Sequence, residues 1–275
     1  MVRRPLTART LRLLDGMQML LVALVVLAPV LWMVSAGFKN PNAVTAYPPQ
    51  FLFRPTLRNY AKLLETMPFA RYALNSFIIA TGATLLGIGL GVPAAFATSW
   101  NRLNWPAVTL LAARMAPGAL FLLPWFVMFS DIHAVGTFWV LIITHAVITL
   151  PLALWTMLPA FDALPRSVVE AAMIDGAGDL SLLLRIACPL VAPALAVSVI
   201  LCFVFTWNYF LFALVLSGFS STPLVVAAFN FVGEGVTDWG ALMAAATLIA
   251  LPPVLLTFLV QKQLTAGLSA GAVKG

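Results

Sequence analysis

Few side chains in this 275-residue chain have the types and spacing for covalent or acid–base chemistry. There are two histidines, His133 and His145, and two cysteines, Cys188 and Cys202. No Ser/His/Asp or Cys/His set can be assembled from them, and two histidines alone make a weak case for a metal. Each histidine is therefore expected to be a hydrogen-bonded structural residue, with no catalytic residue and no metal ligand. The cysteines form no C-x-x-C motif and lie in apolar sequence, as reduced packing residues do. No G-x-x-x-x-G-K-[ST] run is present, so the chain lacks that phosphate-cradling loop. What remains is Arg114, the Trp207-Asn208 pair, and a charged segment at residues 164–179.

These residues sit in sequence that belongs in a bilayer. Apolar residues make up 62% of the chain and charged residues 9%, against roughly 45–50% and 25% in a soluble domain. Fifteen basic and nine acidic side chains cannot cover a water-facing surface of this size, and the mean hydropathy is +1.02. This excludes a soluble enzyme and a disordered chain. The formal charge of +6 carries no cluster of basic residues interleaved with aromatics. It is read as basic residues holding loops at an anionic leaflet, not as a nucleic-acid surface.

Apolar runs free of charge, or interrupted only by Arg114, and turn signals give six spans: about 17–38, 73–99, 106–130, 134–160, 190–217 and 240–261. Each can supply the ~20 residues a crossing helix needs. The runs are continuous, not alternating, which argues against a barrel. The start, with Arg3, Arg4, Arg9 and Arg12, resembles a signal peptide, but Met17–Val34 exceeds the usual h-region and favours an uncleaved span. With the N-terminus inside, nine basic residues fall on the cytoplasmic side and five outside, all five in loop 39–71. The balance favours cytoplasmic N- and C-termini. The expected layout is a cytoplasmic segment 1–16, a single six-helix domain 17–261 and a cytoplasmic tail 262–275. In loop 39–71, residues 56–64 read as a short amphipathic helix with Thr56 as N-cap. It either lies on the membrane or serves as a docking shelf.

The connection between spans four and five carries the most information. Pro165 suits a first helical turn. Val168, Ala171, Ala172 and Asp175 fall on one side of a helix. Gly176 and Gly178 are expected to end it, and Asp179 to cap a second helix from Leu180. The result is a short rod, a glycine elbow and a second helix returning to the membrane. Small residues at Ala171, Ala172 and Gly176 would let another protein approach the backbone closely.

This segment resembles the EAA motif of permease subunits in binding-protein-dependent ABC importers. Glu170, Ala171, Ala172, Gly176, Ile186 and Pro189 fall in that pattern's register, with Cys188 where the family usually has Leu. The resemblance extends over nearly the whole chain. Thr56-Leu57-Arg58-Asn59-Tyr60, Asn75-Ser76 and Trp207-Asn208 look like carbohydrate-uptake members. The ending Gly267–Gly275 is similar to the tail of maltose-transporter G-type subunits. The resemblance implies an all-α type I importer transmembrane domain with a cytoplasmic coupling helix in segment 164–188. Glu170, Ala171, Ala172, Asp175, Gly176, Ala177, Ile186 and Pro189 would meet an ATPase, and Gly267, Gly271 and Lys274 would reach between two ATPase subunits. The implied partners are a second, F-like permease, two ABC ATPases that hold ATP and Mg, and an extracytoplasmic solute-binding protein. That protein would dock near Asn59 and Tyr60.

The substrate is expected to be a sugar-like solute that moves along a path between the two permeases. Arg114 is the only charge deep within a span; it lines the path, pairs with a partner chain or snorkels to the interface. Trp207 could stack on a pyranose and Asn208 could bond its hydroxyls, or Asn208 could join helices. An ion-coupled secondary transporter is the rival reading, but no expected span contains Asp or Glu to hold the ion.

Overall fold

A computed structural model describes residues 8–103, 105–115, 118–232 and 237–272, with side chains left undescribed at 8–14, 106, 111, 113–115 and 260–272. Its helices are α1 (Ala8–Gly37), α2 (Pro41–Val44), α3 (Arg58–Thr66), α4 (Phe69–Trp100), α5 (Trp105–Met115), α6 (Ala119–Asp131), α7 (Phe138–Asp162), α8 (Arg166–Ile174), α9 (Asp179–Ser181), α10 (Cys188–Leu190), α11 (Ala192–Trp207), α12 (Leu211–Leu216), α13 (Leu224–Ala228) and α14 (Trp239–Ala272). A π-helical turn, Leu182–Ala187, joins α9 to α10. The described residues form no strand beyond one isolated bridge, Val232 to Thr237.

Four described helices are long and apolar enough to cross a membrane: Asp15–Gly37, Phe69–Trp100, Phe138–Asp162 and Trp239–Leu259. A fifth appears only if Asp179–Leu190 and Ala192–Trp207, bent by 92°, count as one broken span. Two of the six expected spans are thus not single helices. The third is divided between α5 and α6, of 11 and 13 residues. The fifth stops at Trp207 and resumes at Leu211. Apolar composition alone does not register such breaks, because the sequence stays hydrophobic through them. Helix α14 has 34 residues, about 51 Å at 1.5 Å per residue, so helix continues into the expected tail.

Contacts divide the chain into two units. The first comprises residues 1–67 and 228–248. In it, Asn59 donates to the carbonyls of Gly37 and Lys39 at 2.9 and 2.7 Å. The Tyr60 ring packs at a tilt against Phe38, with centroids 4.9 Å apart. Gly240 lies so close to Asn59 that a Cβ there would come within 2.5 Å of its Oδ1. Asp238 caps α14 by accepting the Ala241 N–H at 3.0 Å, and it also receives the Lys62 ammonium. Buried Lys39 places its Nζ over the Trp32 ring at 3.9 Å, a cation–π contact. Helix α3 has Leu57 at its N-cap position, one residue later than expected. Thr56 Oγ1 instead accepts the Arg58 N–H at 3.2 Å.

The second unit comprises residues 68–227 and 249–275, with α4, α7 and α11 packed together. Small residues allow this approach. On α4, Gly82 faces Ile142, Gly87 faces Thr149, and Gly91 faces Ala153. Thr149 Oγ1 donates to the Ala83 carbonyl at 2.8 Å, a hydrogen bond between α4 and α7. One buried cluster includes Val92, Leu154, Met157, Phe161, Leu183 and Ala187. A second includes Ile79, Val140, Leu141, Phe212 and Leu216.

Candidate functional site

The rod between α7 and α11 is helix α8. Pro165, in extended conformation, is its N-cap, one position before the first turn anticipated from sequence. Its end is a Schellman motif. The Ala177 N–H donates to the Ala172 carbonyl and the Gly176 N–H to the Met173 carbonyl, both at 3.0 Å. Gly176 has φ +85°, the left-handed conformation that glycine adopts without a Cβ clash. Gly178 behaves differently from expectation. With φ −78° and ψ 164° it is the N-cap of α9 and does not end α8. Asp179 is the first residue of α9 rather than its cap. One left-handed residue suffices to end a helix, so the second glycine is left for the next start.

Helix α8 is anchored through Val169, which is 3% exposed. Glu170, Ala171, Asp175 and Gly176 are exposed, while Ala172 and Ala177 are half-buried. Val168, Met173 and Ile174 add exposed apolar surface, Ile174 at 86%. Beyond the elbow, half-buried Ile186 lies on the π-helical turn and exposed Pro189 in α10. A short rod thus stands out with small and apolar groups facing outward, held by one buried valine and a rigid elbow. Such a surface suits contact with another protein.

The remaining expected site residues are distributed. Trp207 is buried; its indole N–H donates to the Ile249 carbonyl at 3.0 Å, and its ring stacks on Phe203 at 5.7 Å. Asn208, exposed at the end of α11, donates to the Val204 carbonyl of its own helix at 2.9 Å, not to a neighbouring helix. The residues that follow it, Tyr209 and Phe212, line a cavity of about 500 Å³ together with Phe121, Val147 and Phe205. Sequence reasoning missed this cavity because its walls come from distant segments. Its only local signal was the aromatic content following Asn208. Arg114 lies on α5, but its side chain is outside the described residues, as are those of Gly267 and Gly271; Lys274 lies outside them entirely.

Asn59 and Tyr60 lie in the first unit, on α3. Asn59 is 1% exposed and both its hydrogen bonds go to this chain's backbone, so it braces the loop. Tyr60 is half-buried, with its ring against Phe38. A polar residue on a short amphipathic helix reads as exposed until the carbonyls it serves are known. Asn75 and Ser76 also take structural roles. Asn75 donates to the Ser220 and Thr222 carbonyls at 3.0 and 2.9 Å, and Ser76 Oγ accepts the Leu224 N–H at 2.8 Å. The two histidines differ in their surroundings. His145 is buried, with Nδ1 2.6 Å from the Leu141 carbonyl oxygen. His133 occupies the left-handed position after α6, at φ +53°. Among the described residues, no group of three or more His, Cys, Asp or Glu could hold a metal.

Several helices long and apolar enough to cross a membrane, with an exposed, elbow-ended rod between two of them, are the arrangement of an integral membrane protein. Residues 8–269 match the family model for the binding-protein-dependent transport system inner membrane component. The chain belongs to that family, whose members are the membrane subunits of ABC importers. It is 32% identical to the probable ABC transporter permease protein y4oR of Sinorhizobium fredii, with 98% of each chain covered. It is 35% identical to the trehalose/maltose transport system permease protein MalG of Thermococcus litoralis, over 93% of this chain and 94% of that one. In fold it is similar to a chain of a bacterial ABC transporter involved in import of the acidic polysaccharide alginate. There the TM-score is 0.74 at 22% identity, covering 95% of this chain and 99% of the other.

Proposed function

We propose that this chain pairs with a second permease to form the path for a carbohydrate or carbohydrate-like solute, and that α8 couples the path to a separate ATPase. The observation that carries this reading is the rod itself, with Glu170, Ala171, Ala172 and Gly176 in the motif's register and most of its surface unburied. The trehalose/maltose relative supports the solute class. In this reading α8 lies in the cytoplasm, ATP and Mg are held by the ATPases, and an extracytoplasmic binding protein delivers the solute. The tail with Gly267, Gly271 and Lys274 reaches those ATPases.

ATP-driven closure of the ATPases would push on α8. Gly176 fixes the angle between the rod and the segment leading into α11, so a displacement of α8 is carried into the bundle. The aromatic cavity lined by Tyr209 and Phe212 is the part of this chain best suited to face the solute. Ring faces can stack on a pyranose, and the break at 208–210 exposes backbone of the kind tolerated at membrane depth only beside protein or a water-filled cavity. Trp207, two residues before Tyr209, fastens α11 to α14, and Arg114 on α5 is a further path residue. The rival ion-coupled reading lacks an acidic residue in any expected span.

The test is Ala172→Asp. A carboxylate on the half-buried side of the rod, desolvated on docking, is expected to abolish ATPase co-purification while membrane insertion stays normal. Wild-type ATPase recovery with this variant would reject the coupling assignment.

A further inference from the structure

A second polar feature lies where α4, α7 and the start of α8 converge. It is a cavity of about 310 Å³ whose lining includes Ser99, Trp100, Arg102, Phe161, Asp162 and Arg166. The two arginines come from different connections. Arg102 is fixed in the left-handed conformation at φ +52°. Its N–H donates to the Ser99 carbonyl at 3.3 Å, and the next N–H, of Leu103, donates to the Thr98 carbonyl at 3.0 Å, a second Schellman ending. Arg166 is the first residue of α8, and its guanidinium lies 5.5 Å from the Trp100 ring centre. The one carboxylate, Asp162, accepts a hydrogen bond from Ser99 Oγ. Among the described residues, neither arginine is within ion-pairing distance of a carboxylate. Two arginine residues thus line the cavity against one carboxylate already hydrogen-bonded. Trp100 is a side chain of the kind that sits at headgroup depth.

We propose that this cavity seats the phosphate of an anionic phospholipid headgroup from the cytoplasmic leaflet. Guanidinium forks match phosphate oxygens bidentately. Basic pockets between spanning helices on the cytoplasmic side are suited to anionic headgroups. The apolar wall of Phe161 and Trp100 accommodates the start of the acyl region. Because Arg166 opens α8, the bound lipid would brace the coupling rod from the membrane side. The leaflet assignment rests on the cytoplasmic placement of α8 proposed above; the phosphate chemistry does not.

The test uses the full-length chain purified in neutral detergent with the subunits that accompany it. Native mass spectrometry reads binding of phosphatidylglycerol, phosphatidylcholine and inorganic phosphate. Phosphatidylglycerol is expected to bind in preference to phosphatidylcholine. Arg102→Gln should weaken it about fivefold and Arg102→Gln/Arg166→Gln about 25-fold, from the effect of removing each basic residue near an anionic lipid. Asp162→Asn should tighten binding, a change in the opposite direction that misfolding does not produce. Equal binding of the two lipids, or unchanged binding by the double variant, overturns the proposal. Displacement of phosphatidylglycerol by an equal concentration of inorganic phosphate overturns the lipid in favour of a free-phosphate site. Labelling of Ser167→Cys from the extracytoplasmic side would overturn the cytoplasmic assignment while leaving the detergent result standing.

Discussion

The indole Nε1 of Trp207 donates to the carbonyl of Ile249 at 3.0 Å. The helical partner of that carbonyl would be the N–H four residues on, but residue 253 is proline, which has none. Trp207 supplies the donor that Pro253 removes. The two residues form one unit, and α11 is fastened to α14 at the point where α14 lacks its own bond.

Trp207→Phe keeps the ring and deletes the donor. It should lower the stability of the purified protein by about 1–3 kcal/mol, the cost of leaving a buried polar group unpaired. Pro253→Ala restores an internal donor, so the double variant should lose less than the sum of the single changes. Thermal unfolding of the four proteins in one detergent measures this coupling. A half-saturating solute concentration raised only in Trp207→Phe, with stability unchanged, would return Trp207 to the substrate path.

Gly176→Ala and Gly178→Ala should separate sharply. A Cβ at Gly176 meets no neighbouring atom, so the effect isolates the left-handed backbone, about 1–2 kcal/mol. It should show as reduced transport at normal membrane expression. Gly178 has an ordinary negative φ and open space, and alanine there should leave transport within twofold, a change equivalent to less than about 0.5 kcal/mol.

His133→Gly tests the same backbone rule in reverse. His133 takes the position after α6 where glycine is preferred, with its N–H bonded to the Ser130 carbonyl at 2.9 Å. Relief of the left-handed cost should raise thermal stability by up to about 1 kcal/mol. A fall in stability would show that the imidazole itself is needed.

Asp238 predicts a pH dependence. Burial acts to raise its carboxyl pKa, but the Lys62 ammonium and the Ala241 and Gly240 N–H groups outweigh burial and hold it below its ordinary value. The folded state thus binds the proton less readily than the unfolded chain. The stabilisation is complete above the unfolded carboxyl value near ~4 and is lost as pH falls through the lower folded value. The pair is partly exposed, with Lys62 at 53% and Asp238 at 24%, so it is worth about 0.2–1 kcal/mol. Asp238→Asn should cost that much at neutral pH and converge on wild type in acid. Asp238→Ala should lose a further ~1 kcal/mol from the α14 cap at all pH values. Denaturation curves across the pH range compare the three proteins.

Gly87→Ala probes the α4–α7 contact. Its Cβ would run into the Thr149 side chain and backbone, and such overpacking typically costs about 1–3 kcal/mol. Gly89, with no atom in reach of an added Cβ, serves as the control, and Gly89→Ala should leave folded yield unchanged.

The amino-acid sequence by itself determined the solvent, the helical class and the short rod that became α8. Bulk hydrophobicity fixes the first two, because an unpaired backbone is intolerable in lipid. The rod was legible because proline and glycine act on their own backbone within a few residues. Gly176 did so as anticipated, although which glycine ended α8 and which began α9 was settled by their φ angles. The tertiary structure alone decided where apolar runs break, as in α5–α6 and after Trp207, since hydrophobicity is continuous across them. It also decided the direction of polar side chains. Asn59 serves carbonyls twenty and more residues away, and Trp207 serves one 42 residues away. The carbonyl that needs a donor is placed by packing, and no local pattern records it.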